Sequence, residues 1–93
     1  MPKYDLEIPH ALATDEVRTR IEGMTPKIES SYGATCRWAT DRQLTVTRKG
    51  FDATLTIEDK RVHVAMNLSF LLVPMASAIK SGLGRELTAL LTG

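Results

Sequence analysis

The chain has 93 residues, 43% of them apolar and 25% charged, a composition typical of one small folded domain rather than a disordered or fibrous protein. Twelve Lys and Arg against eleven Asp and Glu leave a formal charge of +1, without the basic excess that binding to a phosphate backbone requires. We therefore expect a single domain over residues 1–93 and exclude nucleic acid as the leading partner.

The first elements along the chain are a strand and a helix. Tyr4, Leu6 and Ile8 alternate with polar neighbours, as in a half-buried strand, and Pro9 ends the strand because it has no amide hydrogen to donate. The apolar residues that follow recur every three or four positions and predict one face of a helix: Val17, Ile21, Met24, Ile28 and Tyr32.

The ends and the middle of this helix carry their own signals. We expect Thr14 to be the N-cap and Gly33 to adopt the left-handed conformation of a C-cap. Pro26 lacks an amide hydrogen and clashes with the carbonyl of Glu22, so it disfavours a regular helix. The sequence therefore predicts a bend at residues 23–26 or two short helices.

Residues 34–69 return to a period of two and predict four short strands. One face is apolar and comprises Cys36, Trp38, Leu44, Val46, Phe51, Ala53, Leu55, Ile57, Val62, Val64, Met66 and Leu68. The opposite face is rich in threonine, with Thr45, Thr47, Thr54 and Thr56. The connectors are only a few residues long, so consecutive strands should pair as antiparallel hairpins.

The last segment predicts a second helix with one apolar face: Leu72, Met75, Ile79, Leu83, Leu87 and Leu90. Pro74 is tolerated only near the first turn, where a missing amide hydrogen costs nothing, so the helix should begin near Leu72 or Val73. Gly82 and Gly84 do not form a phosphate-binding loop, because they lie inside the helical pattern with no strand before them.

These elements follow the order β-α-β-β-β-β-α and predict an α+β domain. The four-stranded meander should place its last strand beside the first strand of the chain, giving a five-stranded antiparallel sheet of order 1-5-4-3-2. The two helices should pack on the apolar face of this sheet. The arrangement resembles a reduced helix-grip fold.

No residue cluster predicts catalysis, a metal site or a cofactor. His10, His63 and Cys36 are the best borderline or soft metal ligands, but no two of them have the spacing of a metal-binding motif. No local signature of a nucleophilic serine is present either. We interpret Cys36 as a small core residue and His63 as a sheet-surface residue, and we expect a protein that is not an enzyme.

The sequence also predicts a compartment. A single cysteine excludes an internal disulfide and fits a reducing environment. The first residues, MPKYDLEIPH, lack the charged and apolar regions of a secretory signal. We therefore expect a cytoplasmic protein.

A dense apolar segment precedes the last helix and forms a candidate interaction surface: Phe70, Leu71, Leu72, Val73 and Met75. The segment is shorter than the about 20 apolar residues that a transmembrane helix needs, so we expect no membrane span. One helix face cannot bury all of these residues, because they point all round the axis. Part of the segment should therefore contact a partner, a loop or an apolar ligand.

Three stretches of the chain carry a family resemblance: HALATDEVRTRIEGM, the central residues 32–75 with GFDATL, and IKSGLGRELTALL. Together with FLLVPM they resemble the small bacterial polyhydroxyalkanoic acid system family over nearly the whole chain. The resemblance implies a link to genes that make or store polyhydroxyalkanoate, the polyester held in cytoplasmic granules. It implies no catalytic residues.

The sequence leaves several functions open. The first is an accessory protein that docks on a granule, or on a granule protein, through the apolar segment. The alternative is a small carrier of an acyl or hydroxyacyl ligand, although such a pocket needs about 300 Å³ or more. Trp38, Phe51, Met66 and Leu87 should leave little room for it. A homodimer that covers leftover apolar area is a further alternative, because a short chain buries a modest core. An enzyme is the weakest alternative.

Overall fold

The computed structural model describes residues 3–92, which form a five-stranded antiparallel sheet with two helices on one face. The elements are β1 (Lys3–Pro9), α1 (Thr14–Tyr32), β2 (Thr35–Thr40), β3 (Gln43–Arg48), β4 (Phe51–Ile57), β5 (Arg61–Leu68), a short 3₁₀ turn (Val73–Met75) and α2 (Ala76–Thr92). The strand order β1-β5-β4-β3-β2 confirms the predicted fold class and topology. Residues 1, 2 and 93 of the predicted domain lie outside the described residues.

The strand register confirms the two faces of the sheet. Leu44 lies opposite Leu55 and Val46 opposite Ala53, so the β3 and β4 residues that face the helices are apolar. The threonines of the same two strands face away from the helices and stay partly or fully exposed to solvent. Because side chains alternate along a strand, this register places every apolar residue of β4 and β5 except Ala65 on the helix side.

The core lies between that apolar face and the two helices. Val17 and Ile21 of α1 and Leu87 of α2 are fully buried, together with strand residues such as Leu44 and Val64. Burying one such side chain contributes about 1.5–3 kcal/mol relative to leaving it in water. The helices are therefore held mainly by apolar packing on the sheet.

The ends of α1 differ in how well the sequence predicted them. Thr14 was expected to be the N-cap, but Ala13 holds that position, and its carbonyl accepts a hydrogen bond from Val17 N at 3.1 Å. Thr14 is instead the first helical residue. Gly33 confirms the predicted C-cap: its φ is 65°, and its N–H donates to the carbonyl of Glu29 at 3.1 Å.

Pro26 lies within one uninterrupted helix, so the prediction of two short helices is wrong. Proline cannot donate to the carbonyl of Glu22, the acceptor four residues earlier. The hydroxyl of Thr25 donates to that carbonyl instead, at 2.9 Å. The side chain beside the proline therefore satisfies the acceptor that the proline leaves open.

The connection from β5 to α2 contains a structured turn. Ser69 N donates to the carbonyl of Gly50 at 2.8 Å, and Leu72 N donates to the carbonyl of Ser69 at 2.9 Å. The 3₁₀ turn then includes Pro74, and α2 itself begins at Ala76 rather than at residue 72 or 73. The predicted start was early because Pro74 lies in the first turn of the 3₁₀ segment, not of the α-helix.

The two helices run in opposite directions across the sheet, and two polar contacts link them. Arg20 Nη1 donates to the carbonyl of Leu90 at 3.0 Å, and Lys27 Nζ lies 3.7 Å from Glu86 Oε1. We call the end that contains the start of α1 and the last turn of α2 the closed end. The opposite end, with the last turn of α1 and the start of α2, is the open end.

Candidate functional site

An apolar groove of about 500 Å³ lies at the open end, between the two helices. Its floor is the helix-facing side of β3 and β4, with Val46, Ala53 and Leu55. Its walls come from the second half of α1 and the first half of α2, and include Met24, Ile28, Tyr32, Met75, Ile79, Gly82 and Leu83. The groove is a gap between the two helices over this floor, whose residues Val46, Ala53 and Leu55 are themselves largely buried.

The groove corrects the sequence-based expectation about ligand space. The prediction that a chain of this size leaves little room for a pocket is wrong, because this volume falls within the about 300–1,000 Å³ of typical ligand sites. Phe51, one of the side chains expected to fill the interior, lines the groove instead. The space lies at the edge of the core, where periodicity alone does not reveal it.

Two charged residues line the groove, Arg48 and Glu86. Glu86 forms an ion pair with Lys27 at 3.7 Å. Arg48 has no ion pair with any residue of the described range 3–92. Arg48 lies at the end of β3 opposite Phe51, so its cationic group is the unneutralised charge at the groove.

The predicted interaction surface divides into exposed and partly buried residues. Phe70 and Leu71 are 79% and 89% exposed, and Met75 is 54% exposed. Leu72 and Val73 are partly buried, and Leu72 lines the groove together with Met75. The structure therefore places all five residues at the open end. Phe70, Leu71 and Met75 are exposed there, whereas Leu72 and Val73 are partly buried.

Tyr32 belongs to the same region and was missed by the sequence analysis, which assigned it to the core stripe of α1. It is 50% exposed and lines the groove. Among residues 3–92, the exposed large hydrophobic residues are Tyr32, Phe70, Leu71 and Met75, and all of them lie at the open end. The available signal was its position in the last turn of α1, just before the helix-ending Gly33.

A family model for polyhydroxyalkanoic acid system proteins matches residues 5–91. The chain belongs to this family. The match covers α1 and nearly all of α2 and of the sheet, and it links the protein to the polyhydroxyalkanoic acid system. No curated protein and no solved structure shows significant similarity to the chain.

The histidines of this family member have separate structural roles. Leu12 N donates to His10 Nδ1 at 3.2 Å, which leaves Nε2 as the nitrogen that donates to the carbonyl of Glu58 at 2.8 Å. His10 thereby ties the β1–α1 connection to the β4–β5 turn. His63 lies 3.0 Å from Asp5 on the exposed face of the sheet. The structure does not bring the two histidines together with Cys36, and no group of three metal-ligating side chains occurs within residues 3–92.

Cys36 is not activated as a nucleophile. Burial raises the pKa of its thiol, and the nearby Glu29 carboxylate raises that pKa further. A raised pKa keeps the sulfur in the neutral thiol form, which is the weak nucleophile. The location of Cys36 at the edge of the core agrees with the interpretation as a packing residue.

Several of the remaining basic side chains form ion pairs, which lie at separate places on the surface. Arg18 stacks on the ring of Trp38 at 4.2 Å and contacts Asp41 at 3.3 Å. Arg61 lies 3.1 Å from Glu58, within the same turn region. These pairs at the closed end leave no concentrated cationic surface there. Within the described chain, neither helix is long and apolar enough to cross a bilayer.

Proposed function

We propose that this protein is a non-catalytic accessory protein of the polyhydroxyalkanoic acid system, which docks on the polyester surface of cytoplasmic storage granules. The contact surface is a docking patch formed by Phe70, Leu71 and Met75, with Tyr32 beside it. The family membership supports the link to polyester storage. The position and exposure of the patch support docking as the activity.

The observation that carries this proposal is the exposure of Phe70 and Leu71. Two adjacent large apolar side chains that are 79% and 89% exposed have almost no packing role in the isolated chain. Contiguous exposed apolar surface is typical of an interaction site. Leu72, the next residue, packs into the groove and hydrogen-bonds back to Ser69, so the patch is held on an ordered turn.

A carrier function is the second candidate, and the apolar groove favours it. The groove opens at the same end as the docking patch, since Met75 belongs to both and Tyr32, which lies beside the patch, also lines the groove. A protein docked through this patch would hold the mouth of its groove against the polyester. Docking and ligand carrying are therefore compatible activities of one end of the molecule.

Cosedimentation with protein-free polyester particles tests the docking proposal. We expect the protein to sediment with the particles, and the double variant Phe70→Ser/Leu71→Ser to stay in the supernatant. Neither side chain is buried, so the substitutions should change the free energy of unfolding by no more than about 0.5 kcal/mol.

The matched control is Ala11→Ser/Ala13→Ser, which introduces the same hydroxyls at exposed positions of the closed end. Serine at residue 13 also suits the N-cap of α1, so the control should fold well. Equal sedimentation of the two double variants contradicts the proposal.

Two further outcomes would replace the polyester with another partner. Binding to native granules but not to protein-free particles would assign the patch to a granule protein. A concentration-dependent dimer that the Phe70→Ser/Leu71→Ser variant abolishes, measured by sedimentation equilibrium, would assign the patch to a second copy of the chain.

A further inference from the structure

The apolar groove has the form of a ligand site for a narrow hydrocarbon. Its floor contains Val46, Ala53 and Leu55, which present only aliphatic groups. Its helical walls add Ile28, Ile79 and other mostly apolar side chains. A ligand seated along this floor would find no polar group to satisfy in the interior, so the buried part of the ligand must be apolar.

The mouth of the groove has one charge that the protein leaves unneutralised. Glu86 is held by Lys27 at 3.7 Å, whereas Arg48 has no ion-pair partner within residues 3–92. A guanidinium group prefers planar anions and binds carboxylates with two parallel hydrogen bonds. The mouth is therefore complementary to a ligand with an anionic head.

We propose that the apolar groove binds a medium-chain carboxylate, with its hydrocarbon chain over β3 and β4 and its carboxylate at the Arg48 guanidinium. The proposal uses the groove and Arg48, whereas the docking proposal uses Phe70 and Leu71. The two proposals therefore fail independently.

The topology disfavours a peptide strand as the occupant. Peptides that extend a sheet need the unpaired backbone groups of an edge strand. The groove floor is formed by β3 and β4, which are interior strands with a neighbour on each side. The edges of the sheet are β1 and β2, and neither strand contributes a residue to the groove lining.

Isothermal titration calorimetry with decanoate, below its micelle concentration, tests the proposal. We expect one decanoate to bind per chain. Octanoate should bind about fifteenfold more weakly, because it lacks two methylenes and each buried methylene changes the affinity by about fourfold. Decyltrimethylammonium, which has the same chain and a cationic head, should bind at least tenfold more weakly than decanoate.

The Arg48→Gln variant tests the head-group contact. It should lower the affinity for decanoate by about tenfold, as expected for the loss of one charge-assisted hydrogen bond, and leave the affinity for decanol unchanged. Lys49→Gln is the matched control, because it removes the neighbouring cation, which is exposed and does not line the groove. The control should bind decanoate within about twofold of the unmodified protein.

Gly82→Leu tests the location of the hydrocarbon chain. A Cβ atom added at Gly82 meets no atom within 4 Å, and Gly82 lines the groove, so a leucine side chain there should extend into the groove. Gly23→Leu is the matched control, since Gly23 also has open space around it but lies outside the groove. Both substitutions favour the helix, so unfolding does not explain a loss of binding that only Gly82→Leu shows.

Three results would overturn the proposal. The first is no measurable binding of decanoate to the folded protein. The second is equal binding of decanoate and decyltrimethylammonium. The third is binding that neither Arg48→Gln nor Gly82→Leu weakens relative to its control. The Phe70→Ser/Leu71→Ser variant should retain decanoate binding, which separates a failure of the groove from a failure of the docking patch.

Discussion

The closed end and the open end of the molecule are built from the same two helices and the same sheet, yet they are packed differently. At the closed end, Val17, Ile21 and Leu87 are fully buried, and Arg20 joins α1 to the carbonyl of Leu90. At the open end, the corresponding stripe residues Met24 and Leu83 are only partly buried and line a groove.

This difference indicates that one end of the fold contributes mainly to stability and the other end offers surface for binding. The closed end buries its apolar residues against each other, so its packing contributes to the free energy of folding. The open end leaves apolar surface without a protein partner, and such surface stabilises a complex only when a ligand or a particle covers it. The predictions below compare the two ends.

The largest expected effect comes from truncating equivalent leucines of α2. Leu87→Ala should lower the free energy of unfolding by about 3 kcal/mol, because it leaves a cavity in the closed end. Leu83→Ala should cost about half as much or less, because Leu83 already borders open space. Urea denaturation of both variants measures the difference, and equal losses would contradict the contrast between the ends.

A smaller loss of stability is expected from a substitution in the turn that supports the docking patch. Gly50 has φ of 83°, and a Cβ atom there would lie 3.0 Å from Ser69 Oγ. Gly50→Ala should therefore lower the free energy of unfolding by about 1–2 kcal/mol. Gly33 has φ of 65°, but no atom lies within 4 Å of an added Cβ. The Gly33→Ala variant therefore measures the loss of stability that comes from the backbone conformation alone. In thermal denaturation, the Gly50→Ala variant should have a lower Tm than the Gly33→Ala variant.

A modest gain of stability is expected when a helix glycine at either end is replaced by alanine, which has the higher helix propensity. Gly23→Ala and Gly82→Ala each add a Cβ atom into open space, and should each raise the free energy of unfolding by about 0.5–1 kcal/mol. A loss at Gly82 would show that the groove wall is more crowded than the structure indicates. The measurement is the same urea titration, with both variants compared at one protein concentration.

The smallest effect concerns Cys36. Burial, and next Glu29, raise the pKa of the thiol in the folded state, so the neutral thiol favours folding at neutral pH. This contribution is present below the pKa of the unfolded thiol and is lost as the pH rises through the higher folded-state pKa. Iodoacetamide should react more slowly with the folded protein than with the protein in urea. Equal rates at mildly alkaline pH would contradict the raised pKa.

The sequence predicted the sheet well, because alternation fixes which face of each strand is buried. The residues of β3, β4 and β5 could be assigned to a face one by one, and short connectors left only an antiparallel meander. The N-cap was missed because Thr14 is a common N-cap type, whereas the observed Ala13 has no side chain that could signal it. The alternative of two short helices failed at Pro26 because the Thr25 hydroxyl donates to the Glu22 carbonyl that the proline leaves open.

The groove was beyond sequence reasoning for a different reason. Leu83 and Leu87 occupy the same helical stripe, so periodicity predicts the same environment for both. Their burial differs because Leu87 packs into the core whereas Leu83 lines the groove, and this difference depends on how the helices pack on the sheet in three dimensions. The exposed segment at Phe70 was predictable, because its apolar residues exceed what one helix face can bury.

The central claim is that the open end of this fold is its binding end. A nuclear magnetic resonance titration of the isotope-labelled protein with decanoate tests it most directly, because each amide reports its own surroundings. We predict saturable shift changes at Tyr32, Arg48 and Gly82, and none at Ile21 or Leu87. Changes centred on the closed end, or no changes at all, would contradict the claim.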